Sequence, residues 1–223
     1  MKIEFQSLDR ENLFPPVPAL QVIPDKFKNI PSTNKDFMTV KHCMPMIEHL
    51  SSGYALRLRH AIRVEQKYKE FAKGFCQRHT FEDNFAVGLG IHPNEQMPLE
   101  MNAKKNDYIK LPNAWVIKTP EGYSSMFYPV FGEERFKIFS GIVATDKYST
   151  PVLLPGVITT ESDFTIEAGT PIAIILPFKR DNWTADIVEW NTETRANKLE
   201  EEVLFQSEQH YYKKYVHVKS KFE

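Results

Sequence analysis

The residues able to do chemistry are few. Histidine is the commonest metal ligand and a frequent general base, and His42, Cys43 and His49 fall within eight residues, followed by His60, His79 and His92. Their spacing builds no metal centre: His42 and His49 stand seven apart with Pro45 between them, and neither a CxxC pair nor a second histidine pair completes a tetrahedral set. No metal is expected. The turn Ile91-His-Pro-Asn-Glu-Gln reads as a place where a backbone carbonyl orients a half-buried His92. A GxxxxGK loop and a GxSxG elbow are missing, and Gly88-Leu-Gly90 lacks the third glycine of a dinucleotide fingerprint. P-loop, Rossmann and serine acyl-transfer chemistry are therefore unsupported.

Two segments remain informative. In Lys118-Thr-Pro-Glu-Gly-Tyr-Ser-Ser-Met-Phe, the stretch from Gly122 to Ser125 puts two hydroxyls and free backbone N–H groups at a strand start, a suitable seat for a small anion. In Phe139-Ser-Gly-Ile-Val-Ala-Thr-Asp-Lys-Tyr, a strand runs into a turn that offers the acid Asp146 and the ring of Tyr148. Ser124, Ser125, Asp146 and Tyr148 are the ligand-binding candidates, with Asp146 the one candidate base. As structure alone, these segments are β-turns.

The elements that must hold them are short strands. Tyr54, Leu56 and Leu58 alternate with Ala55, Arg57 and Arg59, and Ile62 and Val64 resume after an offset at His60 and Ala61 that suggests a bulge. Further strands are expected at 85–89, 115–119, 125–130, 136–143, 150–154, 156–160, 164–166 and 172–177. Gly, Pro, Asn and Asp between them point to a mainly β sandwich or barrel rather than βαβ units. Pro15, Pro16, Pro18, Pro24 and Pro31 forbid a long opening helix. They predict an extended covering arm over 1–35, with Phe14, Val17, Leu20, Ile23, Phe27 and Ile30 as pegs. A β domain follows over 36–183. The last part, 184–223, has a helix at about 185–215 and a basic, aromatic end at Tyr211, Tyr212 and Tyr215.

Composition limits the partners. The 223 residues carry 28 Lys+Arg against 29 Asp+Glu, a formal net charge of -1, so no global field holds a polyanion or an anionic membrane. Nucleic acid is not an expected partner. Two cysteines, Cys43 and Cys76, are too few for a disulfide framework and suit a reducing compartment. No signal segment or run of about 18 apolar residues predicts export or a membrane span.

The order of Ser52-Gly-Tyr-Ala-Leu, the Ser-Ser segment, Gly141-Ile-Val-Ala-Thr-Asp-Lys-Tyr and Ile166-Glu-Ala-Gly-Thr-Pro-Ile-Ala resembles the ordered motifs of the trimeric dUTPase and dCTP deaminase superfamily. The chain over about 1–183 also resembles an uncharacterised family carried by tailed phages, through Ile23-Pro-Asp, Lys41-His-Cys-Met-Pro and Gly169-Thr-Pro-Ile-Ala-Ile-Ile-Leu-Pro-Phe-Lys-Arg. The resemblance implies a dUTPase-like β-barrel, a phage origin and subunits that share their C-terminal segments in a homotrimer. It also marks departures. The hairpin aspartate that activates water is Ala144 here, Asp146 lies about 6.6 Å further along an extended strand at roughly 3.3 Å per residue, and Tyr148 comes one place late. Ala55 replaces the metal-facing aspartate, and a charged helix replaces the Gly-rich closing arm.

The expectation is a phage-encoded, non-catalytic, dUTPase-like subunit with no cofactor, a homo-oligomer with a trimer favoured. A host or virion protein is its further partner, and its place is the host cytoplasm or the virion. Two alternatives stay open. One is a nucleotide hydrolase or deaminase acting on a deoxynucleoside triphosphate with Mg, in which Asp146, Ser124 and Ser125 have taken over the work. The other is a virion decoration or tail component.

Overall fold

The computed structural model describes residues 1–7, 14–34, 37–65, 90–91, 108–208 and 210–223. In chain order the strands are β1 Glu4–Gln6, β2 Val17–Pro18, β3 Thr33–Asn34, β4 Phe37–Met38, β5 Tyr54–Arg57, β6 Ile62–Val64, β7 Gly90–Ile91 and β8 Tyr108–Leu111. They continue as β9 Val116–Lys118, β10 Tyr123–Tyr128, β11 Phe136–Ile138, β12 Gly141–Val143, β13 Leu154–Ile158, β14 Phe164–Ile166 and β15 Pro171–Lys179. The helices are α1 Asp25–Lys28, α2 Met44–Ser51 and α3 Thr192–Ser207. The fold is mainly β: a five-stranded sheet in the order β12-β10-β15-β5-β2, a four-stranded sheet in the order β11-β13-β8-β7, and three two-stranded pairs.

The sequence of β15 explains its central place. Ile172, Ala173, Ile174 and Ile175 are all buried, so the strand needs cover on both faces and cannot lie at an edge. One face, with Ala173 and Ile175, joins Leu56, Leu58, Phe127, Ile117 and Ile166 in the main core. Ile174 looks the other way, onto Ala19, Ala55 and Tyr128. A register shift between Pro171 and Ala173 accompanies its pairing with β5.

That second face changes the reading of the proline-rich opening. A continuous extended arm over 1–35 was expected. Among the described residues, β1 pairs with β9, β2 pairs with β5, a tight helical turn runs over Ala19–Val22, and α1 starts after Pro24. Proline sets φ for the first residues of a turn as readily as for an extended segment. Ala19 and Phe27 are buried, whereas the supposed peg Leu20 is 59% exposed.

Other boundaries moved for local reasons. The single strand expected over 136–143 is two strands in different sheets, because the chain turns at Phe139, whose N–H donates to the Pro155 carbonyl at 2.8 Å. Pro155 was read as a break but lies inside β13, where pairing with β11 starts only at Gly156, so the proline sits at the end of that ladder. The offset at His60 and Ala61 falls between β5, which pairs with β15, and β6, which pairs with β14. Neither β8 nor α2 was expected; Pro45 occupies the first turn of α2, where its missing N–H costs no hydrogen bond. Helix α3 is shorter than the 185–215 expected, starting at an Asn191 cap that accepts the Thr194 N–H at 2.8 Å. The expected strand at 85–89, along with Cys76, His79 and His92, lies outside the described residues.

Gly53 is the tightest point of this assembly. Its φ is +86°, and a Cβ there would stand 2.1 Å from the Ile175 carbonyl oxygen. Gly122 has a similar φ of +82° but open space around it. Gly53→Ala should therefore destabilise the protein by well over the ~1–2 kcal/mol of left-handed strain alone, while Gly122→Ala should cost about that strain. Urea midpoints of the two variants against wild type measure the difference; equal midpoints would contradict it.

Candidate functional site

The hairpin that follows β12 folds tightly. The N–H groups of Lys147 and Tyr148 both donate to the Ala144 carbonyl, at 2.9 and 2.8 Å. Asp146 therefore lies in a turn rather than two places along an extended strand, and its side chain is aimed inward, with only 2% exposed. Its carboxylate takes both ends of the Arg180 guanidinium: Nη1 donates to Oδ1 at 2.8 Å, and Nη2 to Oδ2. The Gly122 N–H donates to Oδ2 at 3.0 Å. Bidentate pairing of this kind fixes geometry as well as charge.

Arg180 is positioned by the sheet. Tyr123 of β10 faces Lys179 of β15 in register, so Arg180 comes level with Gly122, whose carbonyl accepts the Arg180 N–H at 2.8 Å. Its Nη1 also donates to the Tyr123 carbonyl at 2.7 Å and to Ser124 Oγ at 3.0 Å. A buried hydroxyl chain runs behind it: Ser125 Oγ lies 3.0 Å from Thr145 Oγ1, which lies 2.8 Å from Thr119 Oγ1. Ser124 is 2% exposed and Ser125 is fully buried.

The ion pair sets the electrostatics. Hydrogen bonds from Arg180, with a smaller contribution from the Gly122 N–H, hold the Asp146 carboxyl far below its ordinary value of 3.8 against the opposing effect of burial, and the same pairing raises Arg180. A carboxylate so stabilised is a weak proton acceptor.

Of the candidate residues, Ser124, Ser125 and Asp146 come together, and Tyr148 stays outside. Its ring is 45% exposed, and its carbonyl accepts Lys118 Nζ at 3.0 Å. Ala144 is exposed on the hairpin. Arg180, Gly122, Thr119 and Thr145 complete the cluster and were not singled out from sequence, because their roles depend on which strand lies opposite which.

The first motif is also packed. Ala55 is fully buried among Ala19, Tyr128 and Ile174, with Val17 its partner across the sheet. Tyr128 donates to the Ser52 carbonyl at 3.1 Å, and burial pushes its hydroxyl up to about 12. Among the histidines, His42 lies against His210 with ring centroids 5.2 Å apart, and His49 stacks on Tyr128 at 4.9 Å. No cluster of three potential metal-ligating side chains occurs among the described residues.

No family model and no curated protein matches this chain. Solved structures similar to it include an aspartate mutant of the Staphylococcus bacteriophage 80alpha dUTPase with dUpNHpp, at 12% identity and a TM-score of 0.41, over 85% of this chain and 98% of that one. A dUTPase mutant from phage phi11 of S. aureus is similar at 10% identity and a TM-score of 0.42, over 85% and 97% of the two chains. The native EIAV dUTPase is similar at 9% identity and a TM-score of 0.37, over 86% and 99%.

The Asp146 pair makes a pH signature. A carboxyl whose folded pKa is depressed stabilises the protein fully above its unfolded value and loses that contribution as pH falls through the window below 3.8. Wild type should therefore lose stability on acidification below about pH 4 more steeply than Asp146→Asn. Denaturation midpoints across that range check it, and parallel acid limbs would contradict it.

Proposed function

We propose that this chain is a non-catalytic, dUTPase-like protein that acts as a binding or structural subunit of a homo-oligomer, with a trimer the favoured assembly. The observation that carries the proposal is at the hairpin. Where the resembling enzymes hold their water-activating acid, this chain has the exposed methyl of Ala144, and the next acid, Asp146, is bound by Arg180 and Gly122. A base must come within about 3 Å of its water, directly or through one relay. Ala144 has no group to offer, and Asp146 is turned inward.

Ser124 Oγ receives Arg180 and Ser125 Oγ contacts Thr145, which supports a structural role for both hydroxyls. The face where an aspartate would meet a metal carries Ala55 beneath the chain's own opening segment.

Association is supported by the chain after Arg180. Residues 181–207 are all exposed, and they include Trp183 at 89%, Ile187 at 103% and Val188 at 77%. Several bulky apolar side chains left exposed within one stretch of the chain support a contact surface there. A role in the host cytoplasm or on the virion, with a host or virion protein as a further partner, follows from the phage resemblance. No helix among the described residues is long and apolar enough to cross a membrane.

Two measurements test this reading. Incubation with each common deoxynucleoside triphosphate and Mg should give no turnover, and sedimentation at micromolar concentration should give an oligomer. Turnover by wild type would return the work to a nucleotide hydrolase or deaminase, and a monomer would remove the subunit role.

A further inference from the structure

The excursion over 181–207 is fixed at both ends and bare between them. Arg180 holds its start through Asp146. Its far end rejoins the body where His210 lies on His42, His217 Nε2 meets Glu48 Oε2 at 2.9 Å, and Tyr54 donates its hydroxyl proton to the Glu223 carbonyl at 3.1 Å. Within it, α3 carries Glu193, Glu200, Glu201 and Glu202 against Arg195 and Lys198, so the helix is acidic. Its inner flank, with Leu199, Glu202 and Phe205, borders a hollow closed by Tyr211 and Val216. At helical spacing the other flank presents Ala196, Glu200, Val203 and Leu204, and Val203 and Leu204 are 63% and 52% exposed.

The body offers a matching surface. The short helical turns of the opening segment and α2 enclose an open groove of about 410 Å³, with an apolar lining of Leu20, Ile23, Phe27 and Ile47 and a rim of Lys28 and Lys41. Lys41 Nζ donates to the Lys28 carbonyl, a neutral acceptor, so that bond leaves its charge uncompensated. His42 closes one side, and its buried Nε2 has no hydrogen-bond partner among the described residues. The chain's own α3 does not cover the groove, since every residue of that helix is exposed.

We propose that α3 of one copy seats in this groove of a second copy, with Val203 and Leu204 over Leu20 and Ile47, and Glu200 toward Lys41. The inference rests on the oligomeric reading above and names the surface that makes the contact. Charge selects this partner over the simplest alternative. Helices that paired with one another would bring their glutamates together, a like-charge arrangement that is unfavourable, whereas the groove offers Lys41 beside a Lys28 already paired with Asp25 at 3.2 Å.

The test uses the full chain with a photo-crosslinking p-benzoylphenylalanine at Val203, made in isotopically light and heavy forms and mixed before illumination. Mass spectrometry should find crosslinks joining light and heavy copies, from α3 to peptides within 19–47. Crosslinks from α3 to α3, or only within one copy, would overturn the proposal while leaving an oligomer standing. A monomeric wild type would overturn both readings. Independently, Glu200→Lys and Lys41→Glu should each weaken assembly by roughly tenfold, and the double variant should recover much of the loss. Assembly unchanged in both single variants would also overturn it.

Discussion

The bidentate pair between Asp146 and Arg180 joins three parts of the chain that are far apart in sequence. Its carboxylate belongs to the hairpin after β12, its guanidinium to the end of β15, and the Gly122 N–H that shares the carboxylate to the turn before β10. A charge with its side chain 2% exposed is tolerated only when its lone pairs are met, and breaking one partner leaves the other uncompensated. The pair therefore fixes the hairpin against the sheet and sets the point at which the chain leaves the body. The buried hydroxyls of Ser125 and Thr145, with the half-buried Thr119, extend the same polar cluster.

Ser124, Ser125, Ala55 and Gly53 are all engaged in internal contacts. The hydroxyls of Ser124 and Ser125 are both buried and partnered. Ala55 lies under the proline-rich opening, and Gly53 lets that strand approach the Ile175 carbonyl so closely that no side chain fits. Exposed apolar residues lie both before Arg180, at Leu20, Phe37 and Ile142, and after it, at Trp183, Ile187 and Val188.

Much of this was legible in the sequence, and the rest was hidden for physical reasons. Period-two alternation located β5, and short strand-like runs between turn residues located β10, β14 and β15. The opening segment misled because proline suits an extended chain and the first turn of a helix equally well. Pro155 misled because a proline at the end of a ladder costs little. Strand β8, Tyr-Ile-Lys-Leu, was missed because it pairs with β13 and β7, segments far from it in sequence. At the site, the proximity of Ser124 and Asp146 was foreseeable from motif order. Arg180 was not, because a residue opposite Gly122 becomes visible only once β10 and β15 are placed in register.

The central claim is that Asp146 is a structural anion held by Arg180 rather than a working base. Carbon-13 NMR of the aspartate carboxyl groups in the intact protein, titrated with acid and assigned by Asp146→Asn, tests it directly. The Asp146 signal should remain that of a carboxylate as pH falls through its ordinary 3.8, and should be indifferent to a deoxynucleoside triphosphate with Mg. A midpoint at or above that value, or a shift when the nucleotide is added, would contradict the account.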